Sequence, residues 1–265
     1  MKLLTNKTFL ILMVLISGYG YILSCTHDNE IPPPPASNNP VINRGTRVHL
    51  PRITNGDTNT WKFDKSHSSV LWQTNYQGAA GLLTGRFNQF GLHNVTPDKY
   101  ANYNTSGQPL PDTSWAFYEN EPGKTYFNGY VQINTSNTGE PGRDAGCNLK
   151  AMGNSVAPVT GVQSLLDSNI AKIQTTEVKF DPASNGYIVT MNLTYKGRLE
   201  TPLTKTIVGK LTYIPRSNVT IGTVTNGVFG LQLRFQFNCR EFGITSTSIS
   251  DIIEVECNIN FNNKP

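Results

Sequence analysis

From Trp61 onward, apolar and polar residues alternate with a period of two. Ser69–Tyr76 (SVLWQTNY) sets Val70, Trp72, Thr74 and Tyr76 on one face, and Gly81–Phe90 (GLLTGRFNQF) aligns Leu83, Gly85 and Phe87. Phe127–Thr135 aligns Phe127, Val131 and Ile133, and Ala171–Asp181 aligns Thr176, Val178 and Phe180. Tyr187–Tyr195 puts Tyr187, Val189, Met191, Leu193 and Tyr195 opposite Ile188, Thr190, Asn192 and Thr194. Thr204–Tyr213 aligns Ile207, Gly209, Leu211 and Tyr213. Val228–Arg240 aligns Phe229, Leu231, Leu233, Phe235, Phe237 and Cys239, and Asp251–Phe261 aligns Ile253, Val255, Cys257, Ile259 and Phe261. These eight runs predict strands with one buried and one solvated face, the pattern of antiparallel sheet. Asn185-Gly186 between two of them predicts a tight reversal. Eight such strands can close into a barrel or pack as a sandwich, and periodicity fits both.

Two stretches break the alternation. Residues 96–126 hold four prolines and six aromatics and predict a lid-like insertion over one end of the sheet, with Trp115, Phe117 and Tyr118 turned inward. Ala157–Lys172 (APVTGVQSLLDSNIAK) predicts the one short helix, since Val162, Leu165, Leu166 and Ile170 recur at helical spacing.

The N-terminus follows a different rule. Lys2 and Lys7 precede the apolar run Phe9–Ile16, which is short for a membrane span, and Ile22-Leu23-Ser24-Cys25 follows. This predicts a secretory signal peptide over residues 1–24. A cysteine directly after a small residue resembles the lipobox of bacterial lipoproteins. That resemblance implies that Cys25 becomes the mature first residue and carries acyl chains, an anchor to a membrane of the bacterial cell envelope. Residues 25–60 then read as a tether: IPPPP (Ile31–Pro35) favours extended polyproline II, and little periodicity follows. The folded domain is expected over 61–265.

Composition narrows the function. Charged residues are 15% against roughly 25% in an average soluble domain, which disfavours a charged helical bundle. The formal charge is +4, and removing residues 1–24 takes away Lys2 and Lys7 and no acid, leaving +2. No two Lys or Arg are adjacent, so no nucleic-acid footprint is expected. The inward faces carry no recurring charge. If they enclose a lumen, it suits an apolar guest, because burial of apolar surface needs no specific polar partner.

Four segments and a hairpin then carry a resemblance. WKFDKSHSSVLW, with Asp64, His67 and Ser68, resembles the aromatic-x-Asp-x-x-His-Ser opening of the YceI-like, polyisoprenoid-binding proteins. GLLTGRFNQF resembles that family's Gly-x-Phe segment, GRDAGCNL its Arg-Asp turn, and FNCREFGI its Asn-Arg-x-x-Phe-Gly hairpin. YIVTMNLTYKGRLETPLTKTIVGKLTY has the family's hairpin shape. The chain departs from the family in having Asn75-Tyr76 where a His is common and in the length of the 96–126 insertion. The resemblance implies an all-β, eight-stranded, antiparallel, lipocalin-like barrel whose lumen takes a polyisoprenoid, isoprenoid quinone or fatty acyl lipid.

Expected lumen residues are Trp72 and Phe87, Val131 and Ile133, and Phe180. Val189, Met191, Leu193, Leu211, Leu233, Phe235, Phe237 and Val255 complete the set. Gly85, Gly129 and Gly209 are expected to leave room among them. The alternative is a structural or interaction protein of the envelope with a filled core. Arg143 and Arg240 are head-group candidates or, equally by type, turn-closing partners of nearby acids.

No nucleophile elbow, His-Glu-x-x-His or Cys-x-x-Cys occurs, so no catalytic residue, metal site or cofactor is expected beyond a bound lipid. His67 and His93 could supply half a metal site, but His67 also reads as a hydrogen-bonded structural residue. Cys147, Cys239 and Cys257 remain after Cys25, and a symmetric hairpin would set Cys239 opposite Cys257, within reach of a disulfide. The sequence leaves the oligomeric state open, a homodimer included.

Overall fold

The structure is a computed structural model. It describes residues 47–48, 61–76, 81–92, 115–118, 121–140, 144 and 170–264. The chain divides into Met1–Pro40 and Val41–Pro265, and every described residue lies in the second unit. The expected signal peptide, Cys25, the Pro-rich run, His93, Arg143, Cys147 and residues 157–169 of the expected helix lie outside the described residues.

The described chain is all-β. Its strands are β1 (Arg47–Val48), β2 (Lys62–Phe63), β3 (Ser69–Tyr76), β4 (Gly81–Phe87), β5 (Phe90–Gly91), β6 (Trp115–Tyr118) and β7 (Tyr126–Gln132). There follow β8 (Ser136–Asn137), β9 (Ile170–Asp181), β10 (Gly186–Tyr195), β11 (Leu203–Ile221), β12 (Val224–Asn238) and β13 (Ile252–Asn262). All pairings are antiparallel, in the order β1-β6-β7-β9-β10-β11-β12-β13-β3-β4-β8, with β2 on β13 and β5 on β7. The sheet curls back on itself. Arg86 and Phe87 of β4 pair with Asn137 and Ser136, and Phe90 and Gly91 pair with Val131 and Tyr130.

The expected count of eight strands is therefore corrected to thirteen. The eight runs that alternate are all strands, and the extra ones are pieces of two to four residues. Two of them, β5 and β8, arise where a ladder is interrupted. The 3-10 turn Ile133–Thr135 separates β7 from β8, and Asn88-Gln89 separates β4 from β5. Bonds from Asn88 N–H to the Thr135 carbonyl and from Gln132 N–H to the Gln89 carbonyl carry the pairing across both breaks. The helix expected over Ala157–Lys172 is corrected at its end: Ile170, Ala171 and Lys172 are strand, paired with Gln132, Val131 and Tyr130.

Parity also shifts in two ladders, between Ile214 and Ser217 of β11 and within β9. A register irregularity opposite Thr190 and Met191 pairs them with Glu177 and Thr175, leaving Thr176 extra. A β-bulge of this kind flips facing beyond it. Thr176 is thus exposed, while Val178 is buried on one side of the bulge and Ile173 packs against the core on the other. The β9–β10 reversal is as expected, with Asn185 at φ 48°.

The WKFDKSHS opening is a fastening. The Asp64 carboxylate caps a 3-10 turn by accepting from the His67 N–H. It also meets His67 Nδ1 at 2.8 Å and accepts from Asn262 Nδ2 at 2.9 Å. Ser68 Oγ donates to the Asp64 carbonyl and accepts from the Asn260 N–H. The start of the domain is thereby tied to the end of β13.

Candidate functional site

The buried core runs the length of the curled sheet and contains an internal slot of about 100 Å³. Its walls come from alternate residues of successive strands. β12 contributes Leu231, Leu233, Phe235 and Phe237, and β13 contributes Val255, Cys257, Ile259 and Phe261. Six residues of strand separate the first and last of each set, about 20 Å of extended chain. The lining is thus long, narrow and almost wholly apolar.

Nine of the thirteen expected lumen residues line this slot: Phe87, Val131, Ile133, Leu193, Leu211, Leu233, Phe235, Phe237 and Val255. Trp72, Val189, Met191 and Phe180 do not. The first three are buried in the surrounding wall, and Phe180 packs its ring on Tyr187 at 5.6 Å. Gly129 lines the slot, but Gly85 and Gly209 leave no room. A Cβ on Gly85 would lie 2.7 Å from the Trp72 indole, and one on Gly209 would lie 2.8 Å from Met191 Cε. Trp72 and Met191 thus fill the spaces that were expected to be open. Ile173 lies 3.2 Å from the corresponding point on Gly129.

Tyr195, Leu231 and Phe261 line the slot although they were not among the expected residues. Their parity with Leu193, Leu233 and Val255 was the available signal. Val70 and Cys257 belong to the same class.

One end of the slot is plugged by aromatics. Trp115 of β6 packs on Phe261 with centroids 4.2 Å apart, and Phe229 stacks on Phe261 at 4.6 Å. Phe117 meets Tyr213 at 4.9 Å and Tyr187 at 5.5 Å. Trp115 and Phe117 are buried and Tyr118 is half-buried. The described part of the 96–126 insertion therefore packs inward, as strand β6 paired with β7. At the other end Tyr195 contacts Phe237 and Phe242.

The charged chemistry lies outside. Arg234 pairs with Glu256, Lys205 with Glu241, and a broad open groove on the outer face is lined by Arg86, Lys210 and Arg234 beside Glu254 and Glu256. That groove mixes both signs, whereas the slot carries neither. Lys65 is a partly buried cation. It donates to Gln89 Oε1 at 3.0 Å, and burial lowers its pKa to about 8.

Arg240 is spent on its own loop. Nε meets Asp251 Oδ1 at 2.8 Å, Nη1 donates to the carbonyls of Ile244 and Ser246, and Nη2 donates to the Ile249 carbonyl. This is the turn-closing arrangement, and none of these contacts faces a head group. Asp144 accepts from the Thr138 N–H at 2.9 Å and from its hydroxyl at 2.7 Å, again holding a turn.

The expected disulfide is corrected. Cys239 and Cys257 are both free. CREF (Cys239–Phe242) leaves the strand as a 3-10 turn, so β12 ends at Asn238 opposite Ile252, and Cys257 faces Leu233. Six residues, about 20 Å of strand, then separate the two cysteines. Burial raises both thiols, Cys257 to about 12 with help from Glu256. His67 is exposed and bonded to Asp64, and no group of three or more His, Cys, Asp or Glu among the described residues could hold a metal.

Fold and slot together define an all-β protein whose curled antiparallel sheet encloses an apolar interior. No family model matches the chain, and no curated protein is similar to it. Among solved structures, it is similar to a polyisoprenoid-binding domain from Saccharophagus degradans implicated in plant cell wall breakdown. Sequence identity is 12% and the TM-score 0.40, over 78% of this chain and 100% of that one.

Proposed function

We propose that this protein is a lipid-anchored lipoprotein of the bacterial cell envelope, of YceI-like type, that binds a long apolar molecule inside its sheet. The observation that carries the reading is the slot: about 100 Å³, some 20 Å of strand in length, walled by Leu, Ile, Val and Phe. Ligand sites are usually about 300–1,000 Å³, so a guest must displace side chains as it enters. Val131, Ile173, Phe235 and Ile259 are half-buried wall residues, less tightly enclosed than the rest of the lining. A chain of isoprene or methylene units fits this shape better than a compact ring system.

The lumen residues would supply dispersion contact and apolar burial, and none would do chemistry, so the reading is of a carrier or sequestering protein and not an enzyme. Anchoring falls to Cys25, with residues 25–60 as the spacer between membrane and domain. A filled-core envelope protein is the second reading, favoured by the packing of Trp72 against Gly85 and of Met191 against Gly209.

Mass spectrometry of organic extracts from the natively purified protein separates the two. A stoichiometric polyprenyl, quinone or acyl lipid is expected. Its absence, together with failure to take up such a lipid from vesicles, would leave the filled-core reading standing.

A further inference from the structure

Two of the hydrogen-bond donors buried in the slot's wall have no acceptor. Tyr195 is 1% exposed and Trp115 is 1% exposed, and both line the slot. Neither the Tyr195 hydroxyl nor Trp115 Nε1 has a hydrogen-bond partner in the protein. They mark opposite ends. Tyr195 packs with Phe237, and Trp115 with Phe229, which lies eight residues back along β12, about 27 Å of strand.

Burying a donor without a partner is costly, and natural interiors rarely do so without a reason. A phenylalanine would fill the Tyr195 position with the same ring. Burial also raises the Tyr195 pKa far above that of an ordinary phenol, so the hydroxyl keeps its proton and can donate. The rings packed on Tyr195, Phe237 and Phe242, bring no acceptor to its hydroxyl.

We infer that the ligand is not a plain hydrocarbon: it carries an oxygen acceptor, such as a carbonyl or ether, that accepts a hydrogen bond from the Tyr195 hydroxyl at the Phe237–Phe242 end of the slot. The inference rests on the slot being a ligand site.

The test offers the full-length protein, stripped of co-purified lipid on a hydrophobic resin, two probes of equal length. These are 2-heptadecanone and heptadecane, at equal mole fraction in phosphatidylcholine vesicles. Retained probe is quantified by mass spectrometry after gel filtration. The wild type should retain the ketone about tenfold over the alkane, a ratio of the size one hydrogen bond to a buried donor provides. Tyr195→Phe should erase that preference, the ketone being retained no better than the alkane. The variant removes an unpartnered hydroxyl, so it should fold at least as stably as the wild type. Equal retention of both probes by the wild type would overturn the inference and leave the binding reading intact. So would a preference that survives Tyr195→Phe, or one lost only in Trp115→Phe. Retention of neither probe would overturn both.

Discussion

The indole of Trp72 occupies the space that a side chain at Gly85 would need. The two face each other across β3 and β4, and a Cβ on Gly85 would come within 2.7 Å of the ring. Trp72 is also fixed at its far edge, where Nε1 donates to Ser136 Oγ at 2.9 Å. A rigid ring held on one side cannot move away from the other. Gly85→Ala should therefore destabilise the domain by about 1–3 kcal/mol, the usual size of overpacking. Thermal melts check this, and a smaller partner ring in Trp72→Phe, Gly85→Ala should recover part of the loss.

The loop Ile244–Asp251 depends on one side chain. Arg240 donates to three carbonyls and pairs with Asp251. Arg240→Ala should cost about 2–4 kcal/mol in denaturant unfolding, since hydrogen bonds to charged groups contribute about 1.5–3 kcal/mol each and water replaces part of them. Arg240→Lys should recover little, because an ammonium cannot reproduce the planar fork. Lipid uptake per folded molecule should be unchanged in both.

Leu233 is 4% exposed and lines the slot opposite Cys257. Leu233→Ala should cost about 2–5 kcal/mol while widening the slot. Leu233→Asp should lower stability further by burying an unpaired charge, and should abolish lipid uptake in whatever fraction still folds. Paired melts and uptake from vesicles separate the two effects.

Cys257 gives a pH signature. Its ordinary pKa of 9.0 is raised to about 12 in the fold, so between those values the unfolded chain has lost a proton that the native state keeps. Stability is then full below pH 9 and falls as pH rises, by at most about 1.4 kcal/mol per unit from this group. Lys65 has the opposite sign. Its native pKa of about 8 lies below the ordinary 10.5, so raising pH across that window favours the native state. Comparing Cys257→Ala with the wild type isolates the thiol: the variant should lose less stability between pH 9 and 12. A thiol reagent at pH 8 should label Cys257 slowly in the native protein and rapidly in urea.

The strands were legible in the sequence because burial on one face imposes a period of two, and eight runs from Ser69 to Phe261 obey it. The apolar character of the interior followed from the same rule, which is why Leu193, Leu233, Phe235 and Val255 could be named from parity alone. Parity says which side a residue faces. It does not say what stands opposite, and there the tertiary structure decided. Gly85 and Gly209 looked like open space and are filled, because Trp72 and Met191 reach across from the neighbouring strand. Cys239 and Cys257 shared parity, but register set them six residues apart, since CREF turns out of the ladder. Thr176 lost its expected facing to a bulge that no local pattern announces. Arg240 could have met a ligand or a turn by its chemistry, and only the return of the chain at Asp251 assigned it to the turn. Tyr195 read as one more inward aromatic; its hydroxyl became informative once the packed rings around it left that donor without a partner.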